Sequence, residues 1–279
     1  MPELPEVETV RRSLVRLVQG KEIRDIDVFY EKMIRHDIDE FTSVLVGKTI
    51  DNISRYGKYL MFEIGEYIVV SHLRMEGKYY IKDLEEDRKK HEHVIFYFTD
   101  DTTMRYHDTR KFGTFDLILK KNLETFHPIQ KLGPEPFGQK MNADYMHNTL
   151  KGKTVAIKTA LLDQTIIAGL GNIYVNEVLF FTGLHPTTPC NQITKKQSQL
   201  IIDSSVKVLN KAIELGGTTI RSYTSSLGVT GRFQNDLMVH DREAEECKVC
   251  HTLIVKEKVN GRGTYYCPKC QKQKRKKNV

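Results

Sequence analysis

The sequence predicts an α+β protein, in which an N-terminal antiparallel β-region is followed by a helical region and a short C-terminal hairpin. Three observations predict this order. Strand-like, period-two patterns occupy residues 22–120, and helical apolar spacing returns after 132–138, a segment rich in glycine and proline. Two Cys-x2-Cys pairs then lie close to the C-terminus. A chain of 279 residues can form two domains that each bury a core.

Composition and charge narrow the classes of function. With 39% hydrophobic and 28% charged residues, the chain has the composition of a soluble globular protein. No apolar run approaches the roughly 20 residues of a membrane span, and the acidic N-terminus lacks the apolar core of a secretory signal. We therefore expect a cytoplasmic protein with no membrane partner. A net charge of +7 favours a polyanionic partner, although many basic enzymes bind no nucleic acid.

The first eighteen residues are predicted to form a helix. Pro2 and Pro5 suit a first turn, where a missing N–H costs nothing, and Glu3 and Glu6 place negative charge at the positive end of the helix dipole. Gly20 is expected to end the helix. Apolar residues recur between these signals at helical spacing, at Val7, Val10, Leu14 and Leu17.

Two β-hairpins are predicted next, with turns at Gly65-Glu66 and at Asp100-Asp101. Several strands joined by tight turns favour an antiparallel sandwich or barrel. After 132–138, one helix is expected near Asn172, and another follows a capping box of Thr194 and Gln197. Residues 216–236 are rich in glycine, serine and threonine, which predicts an exposed, mobile loop. The basic tail, residues 272–277, is interpreted as a solvated end.

Four of the five cysteines have the spacing of a zinc site. Each Cys-x2-Cys pair can bring two sulfurs to one ion, and the sixteen-residue gap can return the chain as a hairpin. Two disulfides are the alternative, which a chain without a secretory signal does not favour. We therefore expect one structural Zn²⁺ and interpret Cys190 as an inert buried thiol. The predicted ligands are Cys247, Cys250, Cys267 and Cys270.

The gap between the two cysteine pairs is predicted to form a hairpin. Residues 253–255 would lead out, Asn260-Gly261 would turn, and 264–266 would return. Arg262 then lies at the turn beside a basic tail. It is either a solvated turn residue or a phosphate contact.

An ordered series of motifs resembles one family over the whole chain, the formamidopyrimidine-DNA glycosylases of bacterial base-excision repair. The resemblance begins at the N-terminus and ends at the zinc ribbon. The motifs are Pro2-Glu3-Leu4-Pro5-Glu6, Gly57-Lys58-Tyr59-Leu60, His72-Leu73-Arg74-Met75, Lys90-His91-Glu92-His93, Asp108-Thr109-Arg110-Lys111-Phe112-Gly113, Leu132-Gly133-Pro134-Glu135-Pro136, Gly169-Leu170-Gly171-Asn172 and Gly216-Gly217-Thr218-Thr219.

The resemblance implies a more specific fold. It predicts a catalytic β-sandwich domain flanked by helices at 1–135, a helical helix-two-turn-helix domain with a lid loop at 136–236, and a zinc ribbon at 237–279. The partner would be double-stranded DNA that contains oxidised purines or abasic sites, bound by a monomer. The activity implied is that of a bifunctional glycosylase and AP lyase.

The resemblance also implies catalytic roles. Removal of Met1 would make Pro2 a nucleophilic secondary amine, since an α-amino group has a pKa near about 8. Glu3 would shuttle protons, and Lys58 would donate the proton in β-elimination. Arg262 would bind phosphate and serve in δ-elimination.

A second set of residues would contact DNA. Phe112 would insert between base pairs, Met75 would fill the space left by the flipped base, and Arg110 would bind the orphaned cytosine. The residues that would grip phosphates are His91, Lys153 and Asn172. Taken alone, Met75 and Phe112 would be interpreted as core residues.

The chain departs from the family pattern at Thr109, Lys111 and Tyr56, where relatives often carry proline, arginine and arginine. These changes affect the expected geometry of the wedge loop and leave the predicted activity in place. Two alternatives stay open. An endonuclease VIII-type enzyme would remove oxidised pyrimidines, but Leu4 matches the purine enzyme. A non-enzymatic zinc-ribbon DNA-binding protein would leave Pro2, Glu3 and Lys58 unexplained.

Overall fold

A computed structural model of the chain describes residues 1–218 and 231–273. Most of the predicted loop 216–236 and most of the basic tail lie outside the described residues. The chain forms two compact units: unit 1 contains residues 1–131 and 215–232, and unit 2 contains residues 132–214 and 233–279. The three domains predicted from the sequence are a finer division and stay a prediction.

Unit 1 is an antiparallel β-sandwich with helices beside it. Its helices are α1 (Leu4–Val18), α2 (Ile38–Leu45) and α3 (His127–Gln130). Its strands are β1 (Ile23–Val28), β2 (Ile50–Tyr56), β3 (Tyr59–Ile64), β4 (Tyr67–His72), β5 (Lys78–Asp83), β6 (Glu92–Phe98), β7 (Thr102–His107) and β8 (Thr114–Leu119).

The eight strands form two four-stranded sheets, ordered β1-β6-β7-β5 and β2-β3-β4-β8. One apolar cluster contains residues of both sheets and of the first two helices. Aromatic rings join the sheets, because Tyr79 of β5 lies 5.6 Å from Phe62 and 6.4 Å from Phe115 between ring centroids. The predicted sandwich and both predicted hairpins are confirmed, with β3 paired to β4 and β6 paired to β7.

Unit 2 contains four helices and a two-stranded hairpin within its described residues. The helices are α4 (Ala143–Leu150), α5 (Ile157–Leu162), α6 (Asn172–Thr182) and α7 (Lys195–Glu214), and the strands are β9 (Val255–Val259) and β10 (Arg262–Tyr266). The predicted capping box is present, because the Gln197 N–H donates to Thr194 Oγ1 at 3.2 Å and the Thr194 N–H donates to Gln197 Oε1 at 3.0 Å.

Two local predictions need correction. The loop 216–236 is not wholly exposed, because Thr218 and Phe233 are buried and Phe233–Asp236 forms a 3-10 turn. The zinc hairpin turns at Asn260-Gly261 as predicted, but its outgoing strand is β9 rather than 253–255. Among the helices of residues 1–218 and 231–273, none has the length and apolar character of a membrane span.

Candidate active site and zinc centre

The start of α1 is built around Pro2 and Glu3, which are both buried. One oxygen of the Glu6 carboxylate accepts the Glu3 N–H at 2.8 Å, which satisfies a donor at the helix start. The other oxygen accepts the Thr218 N–H at 2.7 Å and the Thr218 hydroxyl at 3.0 Å. Glu6, predicted chiefly as a partner of the helix dipole, therefore ties the helix start to the base of the 216–236 loop.

The base of that loop is closed by two glycines. A Cβ on Gly217 would lie 2.7 Å from Glu6 Oε1, and a Cβ on Gly231 would lie 2.3 Å from the Gly217 carbonyl oxygen. The Arg232 N–H donates to the Leu215 carbonyl at 2.9 Å. The two ends of the loop therefore meet beside the start of α1, where side chains larger than hydrogen do not fit.

Glu8 lies one turn further along α1 and binds three arginines. Its Oε1 accepts from Arg11 Nη2 at 2.8 Å and from Arg12 Nε at 2.9 Å. Its Oε2 accepts from Arg11 Nε at 3.0 Å and from Arg55 Nε at 3.1 Å. Burial alone would raise the pKa of this carboxyl, but hydrogen bonds from Arg11 and Arg12 and the surrounding positive charge lower the pKa to about 2.

Lys58 lies in the two-residue turn between β2 and β3, and the residue is 5% exposed. Gly57, the other turn residue, has a φ of +57°, and a type II′ hairpin turn takes glycine at this first position. Arg55 Nη1 donates to the Gly57 carbonyl at 2.9 Å. The Arg55 guanidinium therefore joins Glu8 of α1 to the turn that carries Lys58.

The predicted wedge residues lie on two loops, residues 73–77 between β4 and β5 and residues 108–113 between β7 and β8, here called the wedge loops. The fully buried Asp108 fixes the second loop. Its carboxylate accepts three backbone N–H groups, from Arg110 at 3.0 Å, Phe112 at 2.9 Å and Gly113 at 2.8 Å. A carboxylate that accepts several N–H groups holds a loop in one conformation without a ligand.

Tyr106 and one hydrogen bond connect the two wedge loops. A Cβ on Gly77 would lie 2.0 Å from the Tyr106 hydroxyl oxygen, and a Cβ on Gly113 would lie 1.7 Å from it. The end of this ring therefore packs against the backbone of both loops. In addition, the Thr109 hydroxyl donates to the Glu76 carboxylate. Thr109 lies on the second wedge loop and Glu76 on the first, so this contact ties the two loops to each other.

The wedge side chains themselves remain exposed. Met75 is 38% exposed and Phe112 is 51% exposed, which corrects the core interpretation that each would receive alone. The Arg110 guanidinium lies 4.7 Å from the centroid of the Phe112 ring. Large apolar side chains on rigid loops can insert between stacked bases.

His91 ends the loop between β5 and β6, and its carbonyl accepts the Asp108 N–H at 3.0 Å. The structure therefore joins this predicted phosphate contact to the second wedge loop. The loop between β5 and β6 is stabilised by Arg105, whose buried side chain is 2% exposed and donates hydrogen bonds to it. The five Arg105 acceptors are Thr103 Oγ1, Glu92 Oε2 and the carbonyls of Asp83, Glu86 and Asp87, at 2.7–3.2 Å.

His72 precedes the first wedge loop and is neutral. Burial, together with the positive charges of Arg74 and Lys58, lowers the pKa of His72 to about 3. The Arg74 N–H donates to His72 Nδ1 at 2.9 Å, which requires that this nitrogen carries no proton. The neutral imidazole thus orients Arg74, which has a φ of +52° and directly precedes Met75.

The four predicted zinc ligands come together in unit 2, with their sulfurs all within 4.8 Å of one another. The Sγ–Sγ distances are 3.9 Å for Cys247–Cys270, 3.4 Å for Cys250–Cys267 and 3.5 Å for Cys250–Cys270. Zinc–sulfur bonds of about 2.3 Å require sulfurs about 3.8 Å apart, whereas a disulfide bond is about 2.05 Å. A closed tetrahedral shell of four sulfurs therefore fits one structural zinc with no open position for chemistry. Cys190 is buried as predicted.

The zinc ribbon presents Arg262 on an anchored hairpin. The turn residues Asn260 and Gly261 both have positive φ, of 46° and 73°, as a type I′ turn requires. The Gly263 carbonyl accepts from Lys158 Nζ at 2.8 Å and from Asn172 Nδ2 at 3.0 Å. Arg262 is exposed directly beside this anchor.

Two of these contacts add to the sequence interpretation. The Asn172 side-chain amide donates to the Gly263 carbonyl, and the phosphate contact expected at Asn172, at the N-terminus of α6, stays a prediction. Lys158, which is fully buried, was not predicted to have a role. Lys153 lies in the loop that follows α4, and its side chain is exposed. The Lys153 carbonyl accepts the Asn191 N–H at 2.9 Å.

Glu177 of α6 is a second residue that sequence reasoning missed. It is fully buried, and burial raises its pKa although its carboxylate accepts three N–H groups. The donors are Met238 at 2.8 Å, Val239 at 3.1 Å and His240 at 2.9 Å. The available signal was a charged residue inside an otherwise apolar helical run, and the same signal marks Lys158 in α5.

The fold and these sites together define a class of protein: a β-sandwich that contains the N-terminal segment, followed by a helical unit that ends in a four-cysteine zinc ribbon. Three family models match the chain. They are the formamidopyrimidine-DNA glycosylase N-terminal domain at residues 1–115, the H2TH (helix-two-turn-helix) domain of the same enzyme at 132–224, and a zinc finger found in FPG and IleRS at 244–273. The chain belongs to the formamidopyrimidine-DNA glycosylase family.

Individual relatives agree with the family models. A formamidopyrimidine-DNA glycosylase of Bacillus licheniformis is 49% identical over 275 residues, which cover 98% of this chain and 100% of the relative. The Lactococcus lactis Fpg in complex with abasic-site DNA is 45% identical with a TM-score of 0.92, and covers 98% of this chain and 100% of its own. A structure of MutM with DNA containing carbocyclic 8-oxo-G is 44% identical with a TM-score of 0.91, at the same coverage.

Proposed function

We propose that this protein is a bifunctional DNA glycosylase and AP lyase that removes oxidised purines from double-stranded DNA. The observation that carries the proposal is the buried Pro2-Glu3 start of α1, held by Glu6 inside the domain that matches the family. The substrate class is supported by relatives whose structures contain DNA with Fapy-dG or carbocyclic 8-oxo-G. An abasic-site complex of a relative supports the lyase activity.

The chemistry begins with Pro2 after removal of Met1. Its secondary amine attacks the anomeric carbon of the damaged nucleotide, and the base leaves with the bonding electron pair. The amine then loses its proton, the bond between the anomeric carbon and the ring oxygen breaks, and that oxygen takes up a proton, which leaves an open sugar joined to Pro2 as a cationic imine. The imine acidifies the neighbouring sugar proton, and loss of that proton drives β-elimination and then δ-elimination of the two phosphates. Glu3 moves protons during sugar opening and base departure, Lys58 donates the proton in β-elimination, and Arg262 assists δ-elimination.

The wedge residues and the phosphate contacts allow the damaged base to leave the DNA stack and reach the active site. Phe112 separates the base pairs, Met75 occupies the vacated space, and Arg110 bonds to the orphaned cytosine. The exposure of these side chains on braced loops supports this role. The residues assigned to the phosphates are His91, Lys153 and the α6 N-terminus at Asn172.

We assign the protein to the cytoplasm as a monomer that reaches DNA directly. Four thiol ligands hold zinc only while they stay reduced, and a reducing compartment keeps them so. The net charge of +7 supports association with duplex DNA. One structural zinc is part of this assignment, and it supplies no catalytic step.

Borohydride trapping tests the function. Intact mass spectrometry first establishes whether Met1 is absent, because a retained Met1 turns the Pro2 nitrogen into an amide without nucleophilicity. Processed protein should form a covalent adduct with 8-oxoguanine duplex DNA, and a Met1-retaining sample should form none. A stronger reaction with oxidised-pyrimidine DNA would favour the endonuclease VIII-type activity. Absence of any adduct with processed protein would leave only DNA binding and would refute the proposal.

A further inference from the structure

Glu8 and Arg55 connect the two catalytic segments of unit 1. One segment is the start of α1, which carries Pro2 and Glu3, and the other is the turn that carries Lys58. Glu8 lies in α1, and Arg55 lies in β2, two residues before Gly57 of the turn. Neither residue is among those assigned to the chemistry or to DNA.

The contacts form a continuous path. The Arg55 Nε donates to Glu8 Oε2 at 3.1 Å, and the Nη1 of the same guanidinium donates to the Gly57 carbonyl at 2.9 Å. A planar guanidinium fixes the angle between these two bonds, which a flexible ammonium does not. One rigid group therefore sets the distance between α1 and the Gly57-Lys58 turn.

The contacts between Glu8, Arg55 and the turn are largely shielded from water and involve charged groups. The side chains of Glu8 and Arg55 are 11% and 9% exposed. Two further arginines, Arg11 and Arg12, donate to the same carboxylate, and Arg11 Nη1 also donates to the Ile53 carbonyl of β2 at 3.2 Å. Partly buried ion pairs with fork geometry hold their partners more firmly than exposed pairs do. Arg12 differs, because its side chain is 53% exposed and its contact is to Glu8 within α1.

We infer that Glu8 and Arg55 are positioning residues that hold Lys58 at the distance from Pro2 required for proton donation in β-elimination. The inference rests on the proposed function, since it assigns no chemistry of its own. Arg55 acts through the backbone of the turn and does not touch the reacting atoms. Because misplacement of a catalytic group by about 1 Å can cost about a hundredfold in rate, a small movement of the turn is enough to matter.

The test is single-turnover strand cleavage of abasic-site DNA at saturating enzyme. Arg55→Met should slow cleavage about ten- to a hundredfold while the dissociation constant for DNA changes less than about threefold. Glu8→Gln should act in the same direction, and Arg55→Lys should recover part of the rate. The matched control is Arg12→Ala, which removes an arginine from the same carboxylate and should retain the rate within about twofold.

A double-mutant cycle separates positioning from general damage. If Arg55 acts through Lys58, Arg55→Met should add no further loss to Lys58→Ala. Additive losses, an equal loss in Arg12→Ala, or wild-type cleavage by Arg55→Met would overturn the inference. Circular dichroism must show folded protein, and Arg55→Lys and Glu8→Gln carry the same comparison if Arg55→Met does not fold. Failure of the wild type to form a borohydride adduct would instead reject the proposed function.

Discussion

The wedge loops of unit 1 and the zinc hairpin of unit 2 both carry exposed side chains that we propose contact DNA, but the two are held by different means. The wedge loops lie on a large sandwich core, and buried side chains such as Asp108 and Tyr106 brace them. The hairpin belongs to a segment whose small apolar cluster includes two of its own cysteines. A segment this small requires a metal to stay folded. Single substitutions in the wedge loops should therefore reduce activity by degrees. Loss of the zinc should instead unfold the whole hairpin.

Loss of the zinc is the largest expected effect. Cys247→Ala should reduce DNA binding and strand cleavage to below about one per cent, because zinc binding contributes on the order of 10 kcal/mol to the folding of such domains. Unit 1 should stay folded. Metal analysis, DNA titration and circular dichroism measure the three outcomes. Cys190→Ala is the control, since this buried cysteine lies outside the ligand set and should keep the zinc. Normal incision by Cys247→Ala would refute the proposed role of the ribbon.

Removal of the Asp108 carboxylate should give the next largest effect. Asp108→Ala leaves three backbone N–H groups without their acceptor, and we expect a loss of about 3 kcal/mol in the free energy of unfolding. Excision should fall about tenfold, because the second wedge loop loses its fixed conformation. Urea unfolding and single-turnover excision check both values. Asp39→Ala, at an exposed site in α2, should change neither; an equal loss there would point to a non-specific effect.

Acid should loosen the first wedge loop through His72. Its pKa is about 3 in the folded protein against an ordinary value of 6.5, so the unfolded chain takes up the proton first as the pH falls. Stability is therefore complete above about pH 6.5 and declines toward pH 3, by up to about 1.4 kcal/mol per pH unit. His72→Gln should flatten this slope between pH 5.5 and 4.5, as measured by urea unfolding. His36→Gln, at a histidine on the surface beside Glu40, should retain the wild-type slope. An unchanged slope in His72→Gln would contradict this account.

The features predicted correctly from the sequence depend on short spacings. The two Cys-x2-Cys pairs, the Asn260-Gly261 turn and the Thr194–Gln197 cap each follow from local geometry, and the structure contains all three. The strand patterns likewise predicted an antiparallel sandwich or barrel, since alternation reports which face of a strand is buried, and the structure contains the sandwich. The resemblance to the family then supplied the candidate residues, whose individual roles stay predictions.

The features missed from the sequence depend on distant partners. The Lys158 ammonium donates a hydrogen bond to the Gly263 carbonyl, 105 positions away in the chain. The Glu177 carboxylate accepts one from the Met238 N–H, 61 positions away. A buried charge cannot be paired with such a partner before the fold is known, because spacing carries no information about contacts between elements. The periodicity of apolar residues could not predict that Phe112 is exposed, because its exposure depends on the contacts that hold its loop.

The contact between Thr109 and Glu76 should give the smallest effect and the sharpest test of how the wedge is braced. Thr109→Val keeps the shape of the side chain but removes the hydroxyl that donates to Glu76. Because Tyr106 and Asp108 still hold the loops, we expect excision to fall only about two- to fivefold, and stability to change by less than about 1 kcal/mol. Thr109→Ser retains a hydroxyl and should keep most of the activity. Single-turnover excision of 8-oxoguanine paired with cytosine measures the difference. Equal activity in the valine and serine variants would show that Tyr106 and Asp108 brace the wedge loops without this hydrogen bond.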